Sequence, residues 1–340
     1  MLKKFIQILK FITLTSFILT SSCSDAGDLL SLAFSPPSRQ PIDKSIVGVN
    51  NFFVNKEFGS IPAQYSEIKN TLGLKYIRIL AAWTDDVQPT PNSAINYSFY
   101  DDIIKNAPSG VELLVVLTHT PSWMANPANW VDGDPRTTFV ERWVKPTISR
   151  YGNSAAVSAF EIFNEPDVIT VDSDSVLGLT EPANYFDLLV KGYQAGKSIA
   201  GNKLIIMAAT TSIQRNFPNV LRYNQALRDL GADGFTDIWN VHYYATSYES
   251  VVTNNGIGDF LNGISKPIWV TESGETSPNK QLAYVETAWP FLKSKIGGIQ
   301  RFYYYQFGET GPLENNFGLR TTDPSFPVSD LYLFLRDGTR

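Results

Sequence analysis

The chain lacks most of the residues that usually mark a cofactor site. It has one cysteine, Cys23, in 340 residues, so no disulfide can form within it. It has two histidines, His119 and His242. Two histidines on strand-like runs three apart, with no cysteine beside them, do not make a zinc site, and the sequence implies no other metal or organic cofactor. Positive charge is not in excess: 28 Lys and Arg face 33 Asp and Glu, for a net charge of -5. A nucleic-acid partner, which needs a clustered basic surface, is therefore not expected. Internal repeats and low-complexity tracts are absent. The turn after the first strand-like run, "VNKEFGS" (54–60), has no glycine fingerprint for a dinucleotide.

What the chain has in quantity is aromatic side chains, 13% of the total. Many belong in a core, but flat rings also pack on sugar rings. At the N-terminus a basic "MLKK" precedes "FITLTSFILT", an apolar segment too short to span a bilayer. "SSC" follows. This arrangement resembles a bacterial lipoprotein signal, in which the cysteine becomes the lipidated first residue. The expectation is a signal peptide over 1–22, a lipid anchor on Cys23 and a tether over 23–42 that ends in the turn-rich "SPPSRQP". The protein would then be secreted across the inner membrane and held in the periplasm or on the outer membrane of a bacterium. An ordinary cleaved secretory signal is the alternative.

From about residue 45 two patterns alternate. Continuous apolar runs occupy 45–53, 75–83, 111–119, 157–165, 203–212, 237–245, 267–275 and 299–308. Helical periodicity lies between them, clearest over 61–73, 138–152, 183–201, 220–231, 280–298 and 328–338, and weaker over 97–110 and 248–263. Eight strands buried on both faces and alternating with eight helices predict an α/β protein, a (β/α)8 TIM barrel forming one domain over 43–340. An open doubly wound sheet would share the alternation but not the missing glycine fingerprint. A monomer is expected.

In such a barrel, catalytic groups sit at the C-terminal ends of strands. "FEIFNEPDV" (160–168) places Asn164 and Glu165 at the end of run four, directly before Pro166, which cannot continue a ladder. "IWVTESGE" places Glu272 near the end of run seven. Two acids across a barrel mouth are what glycosidic bond cleavage requires, one to protonate the leaving oxygen and one to attack or to activate water.

"FNEP" and "WVTESG", on runs four and seven, resemble the acid/base and nucleophile motifs of the clan A retaining glycoside hydrolases. "THTPSWMA" and "NNFGLRTTD" look most like family 39 and family 5-type members. The resemblance covers the chain after the linker. It implies retaining hydrolysis of a poly- or oligosaccharide, with Glu272 as nucleophile, Glu165 as acid/base and Asn164 on the sugar 2-hydroxyl. It also implies that Arg78 supports the nucleophile, that Tyr244 beside His242 hydrogen-bonds it, and that His119 lies at the sugar subsite. The clan's strand-eight tryptophan is replaced here by "FYYYQFGE", with Tyr305 and Phe307.

Other readings stand beside these. Arg78 is either a support for Glu272 or an interior arginine paired with Glu161, which lies four residues before Glu165, about 13 Å deeper at strand rise. Glu275 and Glu309 fall in loops. Trp83, Trp123 and Trp130 are sugar platforms or core, and Trp143 is core. A catalytically weak carbohydrate-binding barrel and a transglycosylase are the rival functions.

Overall fold

The computed structural model describes residues 38–244, 251 and 256–338. The expected signal peptide, Cys23 and most of the tether lie outside the described residues. Each apolar run contains one strand: β1 Val47–Asn50, β2 Tyr76–Ala82, β3 Glu112–Thr118, β4 Val157–Ile162, β5 Leu204–Met207, β6 Trp239–His242, β7 Ile268–Ser273 and β8 Ile299–Tyr304. All paired neighbours are parallel, and β1 pairs with both β2 and β8. No ladder joins β5 to β6 among the described residues. Polar groups at the start of β6 bridge that seam instead. Ile205 N donates to Asp237 Oδ2 at 2.7 Å, Asp237 N donates to Ile205 O at 3.0 Å, and Met207 N donates to Thr236 Oγ1 at 3.0 Å. The result is the expected (β/α)8 barrel.

Helices cover the outside: α1 Ile61–Ser66, α2 Ser98–Asn106, α3 Pro135–Phe139, α4 Lys145–Tyr151, α5 Pro182–Ile199, α6 Asn219–Asp229, α7 Ile257–Asn262, α8 Gln281–Lys295 and α9 Asp330–Asp337. The helix expected over 138–152 is two helices joined by a wide π turn at Val140–Val144. Asp134 starts α3, accepting from the backbone N–H groups of Arg136 and Thr137, and Pro135 follows at the first helical position. None of the described helices is long and apolar enough to cross a membrane.

Alternation along the strands sorts the barrel interior into layers. The lower layer is apolar, built from Tyr76, Leu114, Ala159, Ile206, Trp269 and Tyr303. Arg301 caps it, its guanidinium 3.5 Å from the Tyr76 ring centre and 4.1 Å from that of Trp269. Gly48 belongs to this layer for a steric reason: a Cβ there would stand 2.6 Å from the Tyr303 ring and 2.8 Å from Tyr76 Cβ. Two residues further along β1, β2, β4, β6 and β7, the layer is polar. Asn50, Arg78, Glu161, Asn240 and Thr271 are all buried there, and Asn50 Nδ2 donates to Thr271 O at 2.9 Å across the interior.

Most strands are shorter than the runs that predicted them. The difference matters most at β4, which ends at Ile162, three residues before Glu165. Phe163 and Glu165 take left-handed backbone, with φ of 74° and 44°. The chain therefore turns off the strand before it reaches the acid.

Candidate active site

Arg78 organises the mouth. Its guanidinium is fully buried and donates to four partners. Nε and Nη2 grip Glu161 at 2.8 and 3.0 Å. Nη1 reaches Glu272 Oε1 at 2.7 Å and Asn50 Oδ1 at 3.0 Å, and Nη2 also reaches Asn164 Oδ1 at 2.7 Å. The two sequence readings of Arg78 are thus not alternatives, since it pairs with Glu161 and with Glu272 at once. Glu161 is in the barrel interior and paired with a cation, as expected. The same guanidinium spans from Glu161 to Asn164.

Glu272 accepts a second hydrogen bond on Oε2, from the Tyr244 hydroxyl at 2.7 Å. A carboxylate held by a guanidinium and a phenol is fixed in orientation. The register that allows this is irregular. β6 and β7 slip by one residue between Val241 and His242, so His242 stands opposite Glu272.

His242 lies between the two acids. Its ring is buried, with Nδ1 2.9 Å from Glu165 Oε1 and Nε2 3.6 Å from Glu272 Oε1. Burial works against charge on this ring, but Glu272 and then Glu165 outweigh it and raise its pKa above the ordinary imidazole value. Glu165 responds in the opposite direction. Burial pushes its carboxyl up, yet the His242 hydrogen bond and charge, with Arg78 and Arg215, hold it below the usual value. A second acid close by works to raise the pKa of Glu165, and the imidazole and two arginines work the other way. One oxygen from each acid and one His242 nitrogen lie within 4.8 Å of one another. Among the described residues this is the one group that could ligate a metal ion, and Arg78 already supplies positive charge to it.

The backbone holds Glu165 in place. Its N–H donates to Ala209 O at 2.9 Å, and Phe163 N donates to Leu117 O at 2.9 Å. Left-handed backbone at a non-glycine residue costs about 1–3 kcal/mol, and these two bonds offset part of that cost. Asn164 spends its side-chain oxygen on Arg78. Its Nδ2 has no partner among the described residues and is left for a substrate hydroxyl.

The remaining sequence candidates fall in several places. His119 also has positive φ, 62°, and its Nδ1 is 2.8 Å from Asp174 Oδ2. Asp174 itself accepts from Thr120 Oγ1 at 3.1 Å. Trp123 donates to Gln88 O and packs edge-on to Trp83. Trp83 is fully buried and stacks on Trp143, and Trp130 packs against the core. Glu275 caps its own turn at Ser277, and Glu309 accepts from Phe317 N. Phe307 is buried in the core. Tyr305 is at the mouth, its ring 6.1 Å from Tyr244 and 5.8 Å from Phe317.

Sequence reasoning missed four residues. Phe52 and Phe317 complete an aromatic wall with Tyr305 and Tyr244. Gln214 and Arg215 line a cavity of about 440 Å³ beside Glu165. All four lie off the strands. Phe52 falls at the end of the apolar run 45–53 and Phe317 inside the quoted "NNFGLRTTD", while Gln214 and Arg215 carried no signal.

Two comparisons with known proteins agree with this fold. Residues 135–319, more than half the chain, match the family described as glycosyl hydrolase catalytic core. Among solved structures, the chain is similar to a family 39 glycoside hydrolase from Bacteroides cellulosilyticus, with 17% identity and a TM-score of 0.61. That match covers 87% of this chain and 64% of the other, so the chain spans less than two thirds of that relative. It is also similar to an endo-1,4-beta-mannanase from Rhizomucor miehei (16% identity, TM-score 0.57, 88% and 98% covered). A third match is the lactosyl-enzyme intermediate of endo-glycoceramidase II from Rhodococcus (14%, 0.56, 88% and 81%). At these identities the likeness is one of fold. No curated protein matches the sequence.

Proposed function

The chain belongs to the glycosyl hydrolase catalytic-core family, and from that premise we propose that it cleaves a poly- or oligosaccharide by double displacement, with retention. The observation that carries this reading is the approach of the two acids to within 4.8 Å. Retaining pairs stand about 5–5.5 Å apart, and inverting pairs stand about 6.5–9.5 Å apart to admit a water. In the first step Glu272 attacks the anomeric carbon and forms an ester to the sugar. The glycosidic bond breaks, and the leaving oxygen takes a proton from Glu165. In the second step Glu165 takes a proton from water, the water oxygen attacks the anomeric carbon, and Glu272 is released. Asn164 Nδ2 donates to the sugar 2-hydroxyl. Tyr305, Phe317 and Phe52 supply ring faces for sugars at the mouth.

His242 and Glu165 share one proton through the 2.9 Å contact. The free enzyme keeps it on His242. Sugar filling the mouth excludes water and deepens the burial of Glu165, which favours its neutral form and moves the proton to the acid that needs it.

Two variants test the assignment of roles. Glu272→Ala should lose hydrolysis of every substrate, because no covalent intermediate forms. Glu165→Ala should lose most activity on natural sugars but still release an activated phenol such as dinitrophenol, and then stall. Azide should restart it and give a glycosyl azide of retained configuration. An inverted azide, or near-normal turnover of unactivated sugars by Glu165→Ala, refutes the assignment.

The N-terminal reading belongs to the same proposal. A lone cysteine at the end of an apolar segment supports a signal peptide that would direct the enzyme across the inner membrane and a lipid anchor at Cys23 that would hold it at a bacterial envelope membrane.

A further inference from the structure

One cation at the mouth has no role in the chemistry above. Arg215 follows β5 and stands between two adjoining cavities. The first, about 440 Å³, is the one beside Glu165 and Tyr244. The second, about 300 Å³, is lined by Asp167, Thr211, Asn219 and Tyr223 among others. Arg215 lines both and is the only cation on either wall among the described residues. Its side chain is exposed, and it makes no hydrogen bond or ion pair among the described residues.

The acids on the cavity walls do not use it. Glu165 is engaged with His242. Asp167 accepts from Thr211 twice, from the backbone N–H at 2.7 Å and from the hydroxyl at 2.5 Å. Arg215 is nevertheless close enough to Glu165 to help hold its carboxyl down. For a group that must deliver a proton, a bare cation nearby is a handicap, and a negative charge brought in by the substrate would cancel it.

The position of the cavities gives the sugar concerned. Glu165 lines the first, but Glu272 and Arg78 line neither. The second cavity, where Arg215 stands with Asp167 and Val168 just past the acid and away from Tyr244, therefore lies on the side of the acid, where the leaving group is protonated. We propose that Arg215 recognises an anionic substituent, a carboxylate or a sulfate ester, on the sugar that departs. A guanidinium fork matches either group through two parallel hydrogen bonds. This assignment rests on the glycosidase reading and makes the substrate an acidic glycan.

The test uses the full chain and sets of oligosaccharides built on a backbone that it cleaves. Members of a set differ only on the leaving sugar, which carries a carboxylate, a sulfate ester or a neutral hydroxyl. The wild type should favour an anionic member over the neutral one by about tenfold or more in kcat/KM, mostly through KM. Arg215→Gln should bring that ratio close to one, and Arg215→Lys should keep part of it. A preference for the carboxylate alone identifies a uronic acid, and a preference for the sulfate alone identifies a sulfated sugar. A wild-type ratio near one, or a ratio that survives in Arg215→Gln, overturns this assignment and leaves the glycosidase reading standing. If the wild type turns over no glycoside at all, both fall together.

Discussion

Arg78 carries a structural and a chemical role in one side chain, and the two can be separated. Removing it leaves Glu161 and Glu272 as unpaired charges in a buried layer, and breaking a buried pair from one side costs about 3–5 kcal/mol. Arg78→Met should lose stability of that order by urea unfolding, and activity with it. Adding Glu161→Gln should recover much of the stability but none of the activity, since Glu272 still lacks its guanidinium. Recovery of activity in the double variant would show that Arg78 acts only on the fold. His242 is tested by pH. Its pKa is raised and that of Glu165 is lowered, so the shared proton is lost at the raised imidazole value. That loss sets the alkaline limb of kcat/KM. In His242→Gln the proton has only a carboxyl to reside on, and the alkaline limb should move toward acid. An unmoved limb would mean that the proton is not shared.

The elements show how far the sequence could be read. Eight strands were legible because buried parallel strands are unbroken apolar runs, and each run contains one. Their ends were not legible. The run 203–212 yields only Leu204–Met207, because the residues after it are just as buried but bond to loops instead of a neighbouring strand. Glu165 and Glu272 could be found because each sits in a short motif at a strand end. The placing of His242 between them depends on a one-residue slip between β6 and β7, and no period in the sequence encodes that slip. Helix starts are more local and can be tested singly. Asp134 caps α3 and also pairs with Lys191 at 2.7 Å. Burial opposes ionisation there, but Lys191, Thr137 and Arg136 outweigh it and hold the pKa near 2, from an ordinary 3.8. Asp134→Ala should cost about 1–2 kcal/mol near neutral pH. A depressed carboxyl stabilises only while it is ionised. The gap between variant and wild type should therefore be full above about pH 4 and shrink as pH falls toward 2. A gap that is constant with pH would assign the loss to packing.

For the molecule as a whole, the proposed anchor gives a simple fractionation result. The wild type should sediment with membranes, and Cys23→Ser should appear in the soluble fraction or fail to be processed; a wild type found wholly soluble would refute the anchor. A single acyl chain binds only marginally, so firm attachment requires several. The first described residues set the geometry of such an attachment. Arg39 pairs with Glu286, and Gln40 N donates to Glu286 O at 2.8 Å, so the chain lies along α8 before it enters β1 at its N-terminal end. The acids open at the other end of the strands. The 14 residues from 24 to 37 could stretch at most about 50 Å and, as a flexible coil, would average about 20 Å. An enzyme tied down by its floor on so short a leash would turn its opening away from the lipid. It would face glycans arriving from the surrounding medium, and sugars attached to the membrane beneath it would be out of its reach.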